Sequence, residues 1–155
     1  MEKIILIRYG EIYLKGQNRP YFERMLLSNI KKALADMPDV KVLKTQGRFY
    51  VENYESEAAV IQALPRVFGI VSISPACKVD KDFETLFHYS AEIMENLLAG
   101  LQGKDILTFK VESRRADKSF PMDSMSINRE MGGKLLEKFP KLKVDVHHPD
   151  VTLNI

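Results

Sequence analysis

Hydrophobic positions along this chain follow two periods, and the changes between them mark out the elements. Ile4 to Ile7 is an unbroken apolar, mostly β-branched run and reads as a central strand. Arg8-Tyr9-Gly10-Glu11 ends it, and a polar loop continues to Gly16-Gln17-Asn18-Arg19. Pro20 suits the first turn of a helix. Phe22, Leu26, Ile30, Ala33 and Met37 form its apolar stripe, and Pro38-Asp39 stops it. Val40 to Lys44 is a strand, Gln46-Gly47 a tight turn, and Arg48 to Glu52 a returning strand with Phe49 and Val51 on one face. Ser56 is placed to cap a second helix whose apolar face is Ala59, Val60, Ala63 and Leu64, with Pro65 at its end. Ile70 to Ile73 is the last strand, and Pro75 closes the unit. The order β-α-β-β-α-β predicts a ferredoxin-like split βαβ domain over residues 1–75, with both helices on one face of a four-stranded sheet.

Residues 76–82 read as a linker. Phe83, Leu86, Phe87, Ala91, Met94, Leu98 and Leu101 carry the next helix, which Gly100 and Gly103 end. Leu107, Phe109 and Val111 then alternate with polar neighbours, as in a half-buried strand. A helix begins at Asp123 or Ser124 and carries Ile127, Met131, Leu135 and Phe139; Pro140 stops it. Gly132-Gly133 inside it cost about 1 kcal/mol each against alanine. Tight packing of the helix on its sheet is the expected reason, and close approach of another backbone or a ligand is the alternative. Leu142, Val144 and Val146 form a strand, His147 to Asp150 a turn, and Val151, Leu153 and Ile155 begin a further strand. The second domain, residues 83–155, is therefore also mixed α/β. Its last strand stops in mid-pattern, so the sequence is expected to be a piece of a longer protein, truncated at the C-terminal end.

Composition narrows the class. The 155 residues are 45% hydrophobic and 28% charged, as in an ordinary folded protein. The net charge is only +2, so a nucleic-acid surface must be a local patch on a nearly neutral body. One cysteine, Cys77, excludes an internal disulfide and a Cys-based zinc site, which suits a reducing, cytoplasmic setting. The N-terminus lacks the apolar core and cleavage site of a signal peptide, and no apolar stretch is long enough to span a membrane.

The most informative chemistry lies between Phe109 and Pro121. A strand delivers Arg114, Arg115 and Lys118 to a loop that ends at a helix start. Guanidinium forks match phosphate oxygens, and a helix N-terminus adds free N–H groups and a positive dipole end. The competing reading is a solvated basic loop. Arg8, Lys15 and Arg19 form a second basic group, with Glu11 placed to orient Arg8 or Arg19; the bland role is to charge and cap a strand-to-helix turn. Arg129 and Lys134 follow on the helix after the loop and extend the first patch, or else face water. Phe120 is a candidate stacking platform for a base, or a plug under the loop. No metal site is expected: His147 and His148 are adjacent on an extended chain and point apart. Cys77 has no evident base beside it, and no carboxylate pair stands out, so no catalytic residue is assigned.

These residues also carry a resemblance. Arg8-Tyr9-Gly10-Glu11 to Leu14-Lys15-Gly16 with Asn18-Arg19 resembles the N-terminal signature of the tRNA 4-thiouridine synthetase family, the sulfurtransferase also named for thiamine biosynthesis. Val67-Phe68-Gly69-Ile70 resembles the strand start before its RNA-binding domain. Phe109-Lys110-Val111, Arg114-Arg115, Asp117-Lys118, Phe120-Pro121, Ser124, Asn128 and Gly132, then Lys143 to Val146 and Pro149-Asp150-Val151, resemble the THUMP domain.

The resemblance implies a ferredoxin-like domain, then THUMP, then a larger catalytic domain that this sequence lacks: no SGG-type pyrophosphatase loop and no cysteine for a persulfide carrier is present. It implies docking of the tRNA acceptor stem and 3′ end on the two front domains. ATP, Mg and the sulfur-donor desulfurase belong to the absent domain, so this chain needs no cofactor and should be inactive alone. A homodimer stays open. Two alternatives are kept: the front end of another THUMP enzyme such as an RNA methyltransferase, and a ferredoxin-like regulatory or dimerisation module.

Overall fold

The apolar run near the start of the chain becomes strand β1 (Glu2–Tyr9), an inner strand of a four-stranded antiparallel sheet. Ile4, Ile5, Leu6 and Ile7 are all buried, and a strand covered on both faces reads as a continuous apolar run. The computed structural model describes every residue except 1, 11–15, 17, 46, 104, 116 and 117. It divides into two units, residues 1–78 and 79–155.

In the first unit helix α1 (Arg19–Ala33) follows β1, with Pro20 in its first turn. Strands β2 (Lys41–Thr45) and β3 (Arg48–Glu52) form a hairpin in which Thr45 pairs with Arg48. Gly47 there has φ of 74°, the left-handed conformation a two-residue hairpin turn demands. Helix α2 (Glu57–Ala63) is capped by the Ser56 hydroxyl, which accepts the Ala59 N–H at 3.3 Å. A single 3-10 turn, Leu64–Arg66, leads towards β4 (Ile70–Lys78). The strand order is β2-β3-β1-β4. Ile5, Ile7, Phe49 and Val51 of the sheet pack against Leu26 and Ile30 of α1 and Val60 and Leu64. Burying each such side chain stabilises by about 1.5–3 kcal/mol, so packing rather than helix propensity holds α1 and α2 in place.

Two expectations for this unit need correction. Strand β4 does not stop at Ile73, and residues 76–78 are not linker: Ala76, Cys77 and Lys78 pair with Ile4, Lys3 and Glu2. Pro75, opposite Ile5, does not break the strand, because β4 is an edge strand whose outer side needs no N–H donor. Helix α1 ends at Ala33, short of Met37. The chain there tightens into a turn in which the Met37 N–H donates to the Leu34 carbonyl at 3.0 Å.

The second unit contains α3 (Phe83–Ala99), β5 (Leu107–Glu112), α4 (Ser124–Lys138), β6 (Leu142–Val144) and β7 (Val151–Asn154). Strand β5 lies between β6 and β7, and both run parallel to it. Its core joins Leu107 and Phe109 of β5 to Ala91 and Met94 of α3, Met131 and Leu135 of α4, and Leu142 and Leu153. Asp82 caps α3 by accepting the Thr85 N–H at 2.8 Å.

Here too the structure departs from the pattern. Strand β6 ends at Val144 instead of continuing to Val146, because the Asp145 carboxylate accepts the N–H groups of His147 and His148 at 3.0 and 2.9 Å and folds the chain into a turn. Those bonds hold the Asp145 carboxyl below its ordinary pKa. Asp150 then ties the chain back to β5: its Oδ2 accepts the Thr108 N–H and hydroxyl at 3.1 and 3.0 Å. Gly132 and Gly133 serve no tight packing: a Cβ at either would meet nothing within 4 Å, and nothing in the structure explains them. No described helix is long and apolar enough to cross a membrane.

Candidate nucleic-acid interface

Strand β5 is the middle strand of a parallel sheet, so the chain leaves it at the carboxyl edge, where open α/β sheets commonly hold ligands. Its exit is tied on both sides. The Ser113 N–H donates to Asn128 Oδ1 at 2.9 Å, and the Ser113 hydroxyl lies 2.8 Å from the Ser124 carbonyl. The Arg114 N–H donates to the Ile155 carbonyl at 2.8 Å, continuing the ladder between β5 and β7. The backbone that presents Arg114 is thus held by α4 and β7, while its side chain is exposed.

Arg115 turns the other way. Its Nη1 donates to the carbonyls of Phe120 and Met122 at 3.1 and 3.2 Å, so the guanidinium closes its own loop. Phe120 is half-buried beneath that closure. Met122 leads directly into Asp123, the cap of α4, whose Oδ1 accepts the Ser126 N–H at 2.8 Å. That bond, aided by the positive charge of Arg115, holds the Asp123 carboxyl below its ordinary pKa. The helix start therefore carries its own anion, and the expectation that its free N–H groups would cradle a phosphate is corrected to that extent.

The remaining cations of the patch divide in the same manner. Lys118 and Arg129 are exposed, and neither is paired with a carboxylate among the described residues. Arg129 follows Asn128, the residue bonded to Ser113, so it projects from the turn of α4 nearest the loop. Lys134 is occupied: its ammonium is 2.7 Å from Glu84 Oε1 and 5.3 and 5.1 Å from the ring centres of Phe83 and Phe87. It joins α4 to α3.

In the first unit Arg8 is half-buried, and its Nη1 donates to Ser74 Oγ at 3.2 Å. Lys15 and Glu11 lie outside the described residues. Arg19 does have an acidic partner, and it is Glu23. The Glu23 carboxylate is only 5% exposed and receives three donors: the Tyr9 hydroxyl at 2.9 Å, Arg19 Nε at 3.1 Å and the Lys44 ammonium. Burial alone would raise the Glu23 pKa, but hydrogen bonds from Lys44, Tyr9 and Arg19 outweigh it and hold the carboxyl below its ordinary value. Burial, then the bond to Glu23, pushes the Tyr9 hydroxyl up to about 12. Glu23 and Lys44 were not singled out from the sequence. The spacing of Arg19 and Glu23, one helical turn apart, was a visible signal; the contact with Lys44 had none. Among the described residues no group of three or more His, Cys, Asp or Glu side chains is arranged to hold a metal.

Residues 4–74 match the ThiI ferredoxin-like domain, and residues 80–155 match the THUMP domain. The chain belongs to the tRNA sulfurtransferase family. It is 48% identical over 155 residues to a protein of Thermoanaerobacter pseudethanolicus named as a tRNA sulfurtransferase, a match that covers 100% of this chain and 39% of that protein. The fold superimposes with a TM-score of 0.82 on the crystal structure of a 4-thiouridine synthetase–RNA complex with bound ATP, at 35% identity, covering 99% of this chain and 38% of that one. A protein from Pyrococcus horikoshii gives a TM-score of 0.84 at 31% identity, covering 99% of this chain and 50% of that one. The chain thus corresponds to the N-terminal part of the tRNA sulfurtransferases and spans about 39% of the length of the curated relatives it matches.

Proposed function

We propose that this part of the tRNA sulfurtransferase docks tRNA, gripping the acceptor stem and the single-stranded 3′ end through the loop between β5 and α4. The observation that carries the reading is the division of that loop: Arg115 locks it from inside, while Arg114 and Lys118 stand exposed on it. A loop braced before binding loses less freedom when a phosphate meets its cations. Arg114 and Lys118 neutralise phosphates, with Arg129 alongside. Arginine also stacks on an unpaired base, which the tail offers and a duplex does not. The similar 4-thiouridine synthetase was crystallised with RNA, which supports the reading. ATP with Mg, and the sulfur donor, would engage the portion of the relatives beyond this chain.

The test is binding of the chain to an acceptor-stem RNA hairpin, with and without its single-stranded 3′ tail, over a salt series. Neutralising about three phosphates, one for each of Arg114, Lys118 and Arg129, gives a log–log slope of roughly −2 to −3. Salt-steep binding that weakens when the tail is removed is the expected result. Absence of binding at low salt by a folded sample would overturn the reading and favour a regulatory or dimerising module.

A further inference from the structure

We propose that Arg19 and Lys44 form a second RNA phosphate site, on the ferredoxin-like unit, with buried Glu23 as the positioning residue that holds them side by side. The inference rests on the RNA-binding reading above. Its geometry begins where β1 ends and α1 starts. Tyr9 is the last residue of β1 and Arg19 the first of α1, and both donate to the same oxygen, Glu23 Oε1. One carboxylate therefore ties the last residue of β1 to the first residue of α1. Lys44 reaches the other oxygen, Oε2, from β2. Two cations from different elements are thus brought to the two oxygens of one group.

Both cations keep donors that Glu23 does not use. Arg19 uses Nε on Glu23 and lies beside the Tyr9 hydroxyl, and a guanidinium carries five N–H donors, so donors remain for a further ligand. Lys44 has three ammonium protons and directs one bond to Glu23. The two side chains are 49% and 46% exposed, whereas the carboxylate beneath them is buried. Water, or an anion arriving through water, meets the cations and not the acid. Two positive charges against one negative leave one positive charge, the amount one phosphodiester neutralises. Long basic side chains normally lose rotamer freedom on binding, at a cost of roughly 2- to 10-fold in affinity each. Here that freedom is already restricted by Glu23.

Salt-dependent binding of the 155-residue chain to the same tailed hairpin tests the proposal. Lys44→Ala should weaken binding and lower the magnitude of the salt slope by about 0.7–0.9, the share of one phosphate. Glu23→Gln keeps both cations but removes their shared anchor. It should weaken binding about 3- to 10-fold with the slope unchanged. An unchanged affinity and slope for Lys44→Ala would overturn the proposal. So would tighter, salt-steeper binding by Glu23→Gln, because the carboxylate would then only mask the cations. Should Glu23→Gln fail to fold, as read by circular dichroism, Lys44→Ala at its exposed position decides alone. Arg114→Ala run in parallel separates the two levels. If it weakens binding and Lys44→Ala does not, the second site is wrong and the RNA reading stands. If the unaltered chain binds no RNA, both fall.

Discussion

The Arg115 guanidinium donates to the Phe120 carbonyl at 3.1 Å, within the loop that both residues belong to. Two adjacent arginines, chemically identical in the sequence, therefore do different things: Arg114 is exposed and Arg115 braces the loop that presents it.

This division predicts different binding defects. Arg114→Ala should reduce the salt slope of RNA binding by about 0.7–0.9, because a phosphate contact is lost. Arg115→Ala should weaken binding while leaving the slope nearly unchanged, because the loop loses its brace. Equal slope losses in the two variants would show that Arg115 leaves its carbonyl partners to meet a phosphate.

Glu23 predicts an acid-sensitive component of stability. Its pKa in the folded protein lies below the ordinary glutamate value of 4.5, owing to Lys44, Tyr9 and Arg19 acting against burial. A carboxyl depressed by folding contributes its full stabilisation above the unfolded pKa and loses it as pH falls through the folded one. Glu23→Gln should cost about 1–3 kcal/mol at neutral pH, as for a buried hydrogen-bonded charge that loses its partners. The gap in melting temperature between the two proteins should be flat from neutral pH to about 5.5 and shrink below about 4.5. A gap that does not change with pH would place the stabilisation in packing and not in the charge.

Gly132 and Gly133 predict a gain. A Cβ at either position meets nothing within 4 Å, and neither glycine has a positive φ. Alanine at each should stabilise α4 by about 0.5–1 kcal/mol, through higher helix propensity and a less flexible unfolded chain. Thermal unfolding checks this, with a rise of several degrees expected in a unit of this size. Gly132 is buried and Gly133 exposed, so a Gly133→Ala variant that melts higher but binds the tailed hairpin less well would place RNA on the exposed face of α4.

Much of the fold was legible because burial imposes a period on the sequence. The stripe of Leu26 and Ile30 and the alternation of Leu107 and Phe109 are direct imprints of one buried face, and the structure buries all four. Errors occurred where a local side chain or an edge position overrode the period. Asp145 captured two backbone N–H groups and ended β6 before Val146. Pro75 passed through an edge strand that it would have broken at the sheet's centre.

The candidate site was legible only as an inventory. Local order along the chain was enough to place Arg114, Arg115 and Lys118 on one loop between a strand and a capped helix, because backbone periodicity and capping depend on neighbours three or four residues away. It was also enough to indicate the ferredoxin-like order of elements. The role of each cation depended on contacts between elements distant in sequence. Lys134 met Glu84 across the α3–α4 packing, and Lys44 met Glu23 across the space between β2 and α1. A long basic side chain has many rotamers and no period, so its partner is settled only when folding brings a particular carboxylate, carbonyl or open stretch of solvent within its reach.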